Sequence, residues 1–141
     1  MTEAKRGAIK GKRRGYSAER RLVKLLSKKP GNYVFRVPVS GSRSPRNSPT
    51  AFPDVFSVNN IEDRIVAFEV KSTSKNKVRV KRRQLIKLMK FLSVFKKYKR
   101  REAVVAVWFS KEEKWVFKLV TDPLCTEDVV VTINDESTWT P

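Results

Sequence analysis

The sequence predicts an α/β fold in which a central mixed β-sheet of about five strands is flanked by helices. Two segments, at about residues 17–29 and 81–98, repeat apolar residues with the period of an amphipathic helix. Between and after them lie short runs rich in Val, Ile, Phe and Tyr, which are typical of strands. One run, AVVAVWF at residues 103–109, is apolar without interruption. We therefore expect it to be a central strand that is buried on both faces.

The composition indicates one strongly basic domain. A chain of 141 residues with 40% hydrophobic residues can bury a single core. Its net charge is +18, and residues 1–100 hold 28 basic against 6 acidic residues, while residues 101–141 hold 4 against 8. Surface charge that serves only solubility, or a thermophile's stability, normally mixes both signs. The imbalance therefore predicts a face that binds a polyanion, with nucleic acid as the expected partner.

The residues that are rare in this sequence narrow its chemistry. It contains no histidine, which excludes Ser-His-Asp catalysis and most zinc hydrolases. A single cysteine, Cys125, excludes an internal disulfide, and we interpret it as a packing residue. No apolar run approaches the roughly 20 residues that cross a bilayer, and the N-terminus lacks the apolar stretch of a signal peptide. We expect an intracellular protein without a membrane partner or a small-molecule substrate.

The N-terminal segment divides into an arm and a helix. Residues 1–15 carry six basic residues and three glycines without a regular period, so we predict a flexible basic arm before a single domain at 16–141. Ser17 is the predicted cap of a helix that runs to about Lys29. Glu19 points to the same side as the apolar stripe of this helix. It either has a partner there or is simply a favourable acid in the first turn.

The next segment reads as three strands with a loop between the first two. Residues 32–39 alternate as a strand, and 40–50 form a loop of turn residues with two arginines. Residues 54–58 and 64–71 then form a hairpin whose acidic residues meet at its open end. The loop should therefore border any site that these acids form.

The second half of the sequence supplies the remaining elements. A short segment at residues 77–81 alternates basic residues with valine. The helix at 81–98 is apolar on two sides, so it is either sandwiched within the domain or packs on a partner subunit. After the central strand, residues 115–120 return as its neighbour, and 128–133 form a short edge strand.

The acidic residues of the hairpin indicate a metal site. Asp54 follows Pro53 at the start of one strand, and Glu69 and Lys71 end the next. Side chains alternate along a strand, so Glu69 and Lys71 lie on the same face. Two carboxylates on adjacent strands suit Mg²⁺, which binds oxygen ligands and leaves positions for a phosphate. A lysine beside them can neutralise that phosphate or orient the attacking water. Taken alone, the same pair also fits a solvated strand end with a surface ion pair.

This pattern of Pro-Asp followed by Glu-x-Lys resembles the PD-(D/E)xK nuclease superfamily and its restriction-endonuclease-like core. Over residues 15–110 the chain resembles the archaeal Holliday junction resolvases, which are dimeric endonucleases of this fold. The resemblance rests on elements in the same order: Glu19, FRVPVSGS (35–42), Pro53-Asp54, EVKS (69–72) and the segment leading to Gln84. It implies a role in DNA recombination and repair, and resolution of four-way junctions by paired symmetric nicks.

The resemblance also implies a role for each matching residue. The catalytic residues would be Glu19, Ser40, Asp54, Glu69 and Lys71. Glu19, Asp54, Glu69 and the carbonyl of Val70 would bind Mg²⁺, for which Mn²⁺ can substitute. Arg20, Arg36 and Gln84 would match family residues near the DNA. From the charge of their segments, Arg43, Arg46, Lys77, Arg79 and Lys81 are expected to contact DNA as well.

Two features of the expected function follow from the substrate. Because each site nicks one strand, two sites related by a two-fold axis are needed, so we expect a homodimer on branched DNA. The helix at 81–98 and the less basic C-terminal third are the candidate interface. Two alternatives remain: another PD-(D/E)xK DNA nuclease of restriction or repair type, and a non-catalytic basic DNA-binding protein, which would leave the acids unexplained.

Overall fold

The computed structural model describes residues 3–38 and 51–141, and the side chains from residue 15 onward within these ranges. The elements follow one another in the order α1 (Glu3–Leu26), β1 (Asn32–Arg36), β2 (Val55–Asn59), β3 (Arg64–Thr73), β4 (Lys77–Val80), α2 (Arg82–Leu92), β5 (Arg100–Phe109), β6 (Lys114–Leu119) and β7 (Val129–Thr132). No helix in the described ranges is long and apolar enough to cross a membrane.

Five strands form the central sheet in the order β1-β2-β3-β5-β6. β3 and β5 run parallel, whereas the other neighbours are antiparallel, so the predicted mixed sheet of about five strands is confirmed. β5 lies between β3 and β6, and its residues from Ala103 to Val107 are almost fully buried. The prediction of a central strand at 103–109 is therefore confirmed. The uninterrupted apolar run is explained by this position, because both faces of the strand are covered.

The two helices cover opposite faces of this sheet. On one face α1 packs through Leu22 and Leu26 against Val66 and Phe68 of β3. On the other face α2 packs through Leu88 and its buried neighbours against the intervening β3 residues. This division follows from the alternation of side chains along β3. Both helices therefore lie near the end of β3, where side chains of α1, α2 and the strand line one pocket.

Two boundaries predicted from the sequence are wrong, and both concern helices. α1 begins at Glu3 instead of after Ser17, so Ser17 is not a cap and residues 3–15 have regular backbone structure. Alanine, lysine and arginine are strong helix formers, and their propensity outweighs that of the glycines in this stretch. α2 ends at Leu92 instead of near residue 98. Beyond it the chain turns back, and Phe95 and Tyr98 pack on the same cluster as α2.

Two strand predictions also need correction. The first strand ends at Arg36, before the expected end at residue 39, although Val37 still donates a backbone hydrogen bond of 2.9 Å to Asp54. The last strand, β7, is not an edge of the central sheet but pairs with β4 in a separate two-stranded ribbon. Val80 and Val131 of this ribbon are fully buried against the sheet. The ribbon thus covers part of the sheet formed by β5 and β6.

Candidate active site

The hairpin of β2 and β3 brings the predicted acids together at one end of the sheet. Its antiparallel register places Val55 opposite Phe68, so Asp54, just before β2, lies beside the end of β3. The backbone N–H of Asp54 donates to the carbonyl of Phe68 at 3.2 Å. In return, the backbone N–H of Val70 donates to Asp54 Oδ2 at 2.9 Å. These two bonds fix Asp54 next to Glu69, and the predicted convergence of the acids is confirmed.

A polar pocket of about 270 Å³ opens at this position. We call it the active-site pocket, and it is lined by Glu19, Phe52, Asp54, Glu69, Val70, Lys71, Gln84 and Lys87. Six of these residues were predicted from the sequence, and they come from α1, the hairpin and α2. The sequence analysis missed Phe52 and Lys87. Lys87 could have been predicted from its spacing, because it lies three residues after Gln84 and therefore on the same side of the helix.

Glu69 is a buried carboxylate whose ionised form is unfavourable in its surroundings. Burial and the nearby charge of Asp54 raise its pKa to about 7, against an attraction from Lys71 that lowers it. Lys71 Nζ lies 3.4 Å from Glu69 Oε1, which confirms that the two side chains share one face of β3. A carboxyl with such a pKa is far more stable as an anion when a cation binds beside it.

Glu19 does have a partner in the structure. The residue is 8% exposed, and Arg36 Nε donates a hydrogen bond of 2.9 Å to its Oε2. Burial raises the pKa of Glu19, while the bond from Arg36 lowers it and the charge of Asp54 raises it. The guanidinium of Arg36 also stacks on the ring of Tyr16 at 4.8 Å. Arg36, predicted to contact DNA, is thus engaged with Glu19 at the edge of the site.

The donor set of the pocket fits a hard divalent cation. Its carboxylates are Asp54, Glu69 and Glu19, and the charge of Asp54 raises the pKa of both glutamates. Carboxylate and backbone oxygens are the ligands that Mg²⁺ prefers, and a cation would relieve this repulsion. Within residues 3–38 and 51–141, however, no three acidic or cysteine side chains lie close enough to form a complete metal-binding group. Asp54 and Glu69 are therefore the central pair, and Glu19 lines the same pocket with one oxygen bonded to Arg36.

The remaining predicted residues lie away from this pocket or outside the described ranges. Ser40, Arg43 and Arg46 fall outside the described residues, so their roles stay predictions. Arg20 is exposed on α1. Lys77, Arg79 and Lys81 are exposed along and just after β4, where Arg79 Nη1 lies 3.5 Å from Asp128 Oδ2. Their side chains do not line the active-site pocket. Cys125 is buried, as expected of a packing residue.

Comparison with known proteins agrees with this geometry. The family model described as archaeal Holliday junction resolvase (Hjc) matches residues 10–139. A crossover junction endodeoxyribonuclease Hje of Sulfolobus acidocaldarius is 44% identical over 101 residues, which are 72% of this chain and 66% of that protein. The Hje of Saccharolobus islandicus is 39% identical over 121 residues, 86% of this chain and 80% of that protein.

A solved structure gives the same result. The 1.6 Å resolution structure of Hjc, a Holliday junction resolvase from the archaeal hyperthermophile Archaeoglobus fulgidus, matches with a TM-score of 0.55 and 29% sequence identity. The match covers 70% of each chain. The family model spans nearly the whole chain, including every residue of the active-site pocket. The chain therefore belongs to the archaeal Holliday junction resolvase family.

Proposed function

We propose that this protein is a magnesium-dependent endonuclease that resolves four-way DNA junctions by paired symmetric nicks, acting as a homodimer. One observation carries the proposal: a pocket that unites Asp54, Glu69 and Lys71, in a chain of the resolvase family. The two curated relatives described above are named crossover junction endodeoxyribonucleases. A basic protein that only bound DNA would gain nothing from buried carboxylates, because each one repels phosphate.

The residues of the pocket divide the chemistry between them. Asp54 and Glu69, with the Val70 carbonyl and Glu19, would hold Mg²⁺, which when bound polarises the scissile phosphate and lowers the pKa of a water molecule. Lys71 Nζ donates hydrogen bonds toward the phosphate oxygens and so stabilises negative charge as it develops there. The two hydrogen bonds between Asp54 and β3, one from its backbone N–H and one to its carboxylate, hold this side chain in position before the substrate arrives.

The proposed dimer uses an aromatic face on the α2 side of the sheet. Phe35 stacks on Phe56 with ring centroids 4.9 Å apart, and Phe56 contacts Phe91 of α2 at 5.0 Å. Phe35 nevertheless remains 48% exposed, and Ile86 and Val94 are 38% and 68% exposed. Exposed apolar side chains beside such an aromatic cluster are typical of an association surface. Because α2 also contributes Gln84 and Lys87 to the active-site pocket, a two-fold axis at this face would relate two pockets through the paired helices.

The C-terminal third contributes less to this surface than the sequence suggested. Cys125, Val131 and Trp139 are buried within their own chain. Trp139 packs edge-on against Phe68 and Phe117, with ring centroids 5.3 Å apart in each case. These three side chains therefore complete the core of one subunit, whereas Leu124 and Val130 of the same region are exposed. The aromatic face of β1, β2 and α2 is the better candidate for the interface.

A panel of DNA substrates tests the proposed function. A labelled four-way junction would be incubated with the protein and Mg²⁺, beside a linear duplex, a flap and single-stranded DNA of matched sequence. We expect symmetric nicks in opposite strands of the junction only, and none in EDTA. Equal cleavage of the linear duplex would instead indicate a nuclease of restriction or repair type. Tight junction binding without nicks in Mg²⁺ or Mn²⁺ would indicate a non-catalytic DNA-binding protein.

A further inference from the structure

A second pocket lies at the same end of β3 as the active-site pocket, and α1 contributes side chains to both. Because side chains alternate along the strand, Lys71 lines the active-site pocket and Ser72 lines the second one. The second pocket has a volume of about 240 Å³ and is lined by Ser17, Ala18, Arg21, Ser72, Trp108, Ser110 and Glu113. Since Lys71 and Ser72 are consecutive, the two pockets lie close together at this end of the strand.

One wall of the second pocket is a stacked cation and indole. The guanidinium of Arg21 lies 4.3 Å from the centre of the Trp108 ring. Trp108 contacts Trp115 of β6 at 5.2 Å, and Trp115 stacks on Phe117 at 5.5 Å, so the indole is supported from behind. Among the described residues, no carboxylate lies within 4.0 Å of the Arg21 guanidinium. Planar aromatic and guanidinium groups are the surfaces on which proteins stack unpaired bases.

The other walls supply hydrogen-bonding groups of both kinds. Ser17 and Ser72 present hydroxyl groups, and Ser110 keeps acceptor capacity because its Oγ donates to the Thr73 carbonyl at 3.1 Å. Glu113 adds a carboxylate, which accepts hydrogen bonds only. A carboxylate repels a phosphate, but it can accept a hydrogen bond from the amino group of a base. The pocket therefore suits the base of a nucleotide better than its phosphate.

We propose that the second pocket binds one unstacked base of the DNA strand that is cut in the active-site pocket. The proposal rests on the proposed function, because it takes a DNA junction as the ligand. At a junction, a base beside the branch point gives up less stacking and pairing than a base inside a duplex arm, so it enters such a pocket at less cost. Capture of this base between Arg21 and the serine hydroxyls would set which phosphate reaches Lys71.

The test uses 2-aminopurine, a fluorescent base whose emission depends on stacking, placed beside the branch point of a four-way junction. Binding is measured with the Asp54→Asn protein, so that no strand is cut. We expect the emission to change on binding, and Arg21→Met to remove the change and weaken junction binding about tenfold. Ser72→Ala should reduce the change as well. Both substitutions leave the Trp108 side chain in place, and thermal unfolding would establish that each variant is folded.

The matched control is Lys28→Met, which removes the same charge from an exposed position after α1. If Lys28→Met and Arg21→Met weakened binding equally and both kept the fluorescence change, the base pocket would be refuted. The base pocket would also be refuted if the emission stayed unchanged when the Asp54→Asn protein, without any further substitution, binds the junction. Nicking by the protein with Asp54 intact is measured separately. Nicks without a fluorescence change contradict the pocket alone, whereas a fluorescence change without nicks contradicts only the proposed cleavage.

Discussion

Replacing Glu69 by glutamine should make the metal-free protein clearly more stable at pH 8, while near pH 5 the gain should be under about 1 kcal/mol. The substitution keeps the shape of the side chain but removes its ability to ionise. In the folded protein, burial and the charge of Asp54 raise the pKa of Glu69 to about 7, from a usual value of 4.5. Deprotonation of this buried carboxyl therefore lowers the stability of the folded protein.

The sign and size of the effect follow from proton linkage. Between pH 4.5 and about 7 the folded state holds more protons on Glu69 than the unfolded state does, so stability falls as the pH rises through this range. At about 1.36 kcal/mol for each pH unit, the full loss is about 3 kcal/mol once the pH is above 7. The attraction of Lys71 is already included in that pKa. The Glu69→Gln protein would avoid this loss, because its amide stays neutral at every pH.

Urea unfolding in EDTA at pH 5 and at pH 8 measures the effect directly. Glu112→Gln is the matched control, because Glu112 is exposed and its substitution should change stability little at either pH. Addition of Mg²⁺ at pH 8 should stabilise the parent protein and have little effect on Glu69→Gln. If Glu69→Gln changed the free energy of unfolding equally at both pH values, or destabilised the protein at pH 8, the Glu69 anion would not be unfavourable in the fold and the prediction would be refuted.

Three other predictions test neighbouring parts of the account. Gly31→Ala should destabilise the fold by about 1–3 kcal/mol in urea unfolding, because Gly31 has φ +84° and a Cβ would lie 2.9 Å from Asn59 Oδ1; an unchanged midpoint would contradict this. Arg36→Met should raise the pKa of Glu19 further, as measured by carbon-13 NMR of its carboxyl, because the hydrogen bond from Arg36 lowers it; an unaltered titration would show that the bond is absent in solution. Phe35→Glu should weaken the proposed dimer about tenfold or more in sedimentation experiments, and an undisturbed dimer would exclude the aromatic face.

The parts of the site that lie on one hairpin could be predicted from the sequence. Alternation along β3 set Glu69 and Lys71 on one face, and the hairpin then required Asp54 to come beside them. The helical period likewise indicated that Glu19 faces inward. These inferences succeeded because each depends on short-range geometry, which the sequence encodes directly.

Contacts between distant segments could not be predicted in the same way. The bond between Arg36 and Glu19 joins β1 to α1, and both residues matched family positions without any pattern that paired them. The pairing of β7 with β4 depends on valines that fit under the same part of the sheet, as Val80 and Val131 do. A short apolar run shows that a strand exists, but its partner is decided by the packing of the whole domain.

The central claim is that Asp54 and its neighbours cut the junction, and one substitution tests it most directly. Asp54→Asn and the control Asp63→Asn would be compared for binding and nicking of a labelled four-way junction in Mg²⁺. Asp63 has φ +53°, a conformation that asparagine also adopts readily, so the control should fold normally. We expect Asp54→Asn to lose nicking by at least about a hundredfold, while it binds the junction as tightly as the parent or more tightly. Undiminished nicking, or loss of binding in step with activity, would contradict the assignment of the active-site pocket.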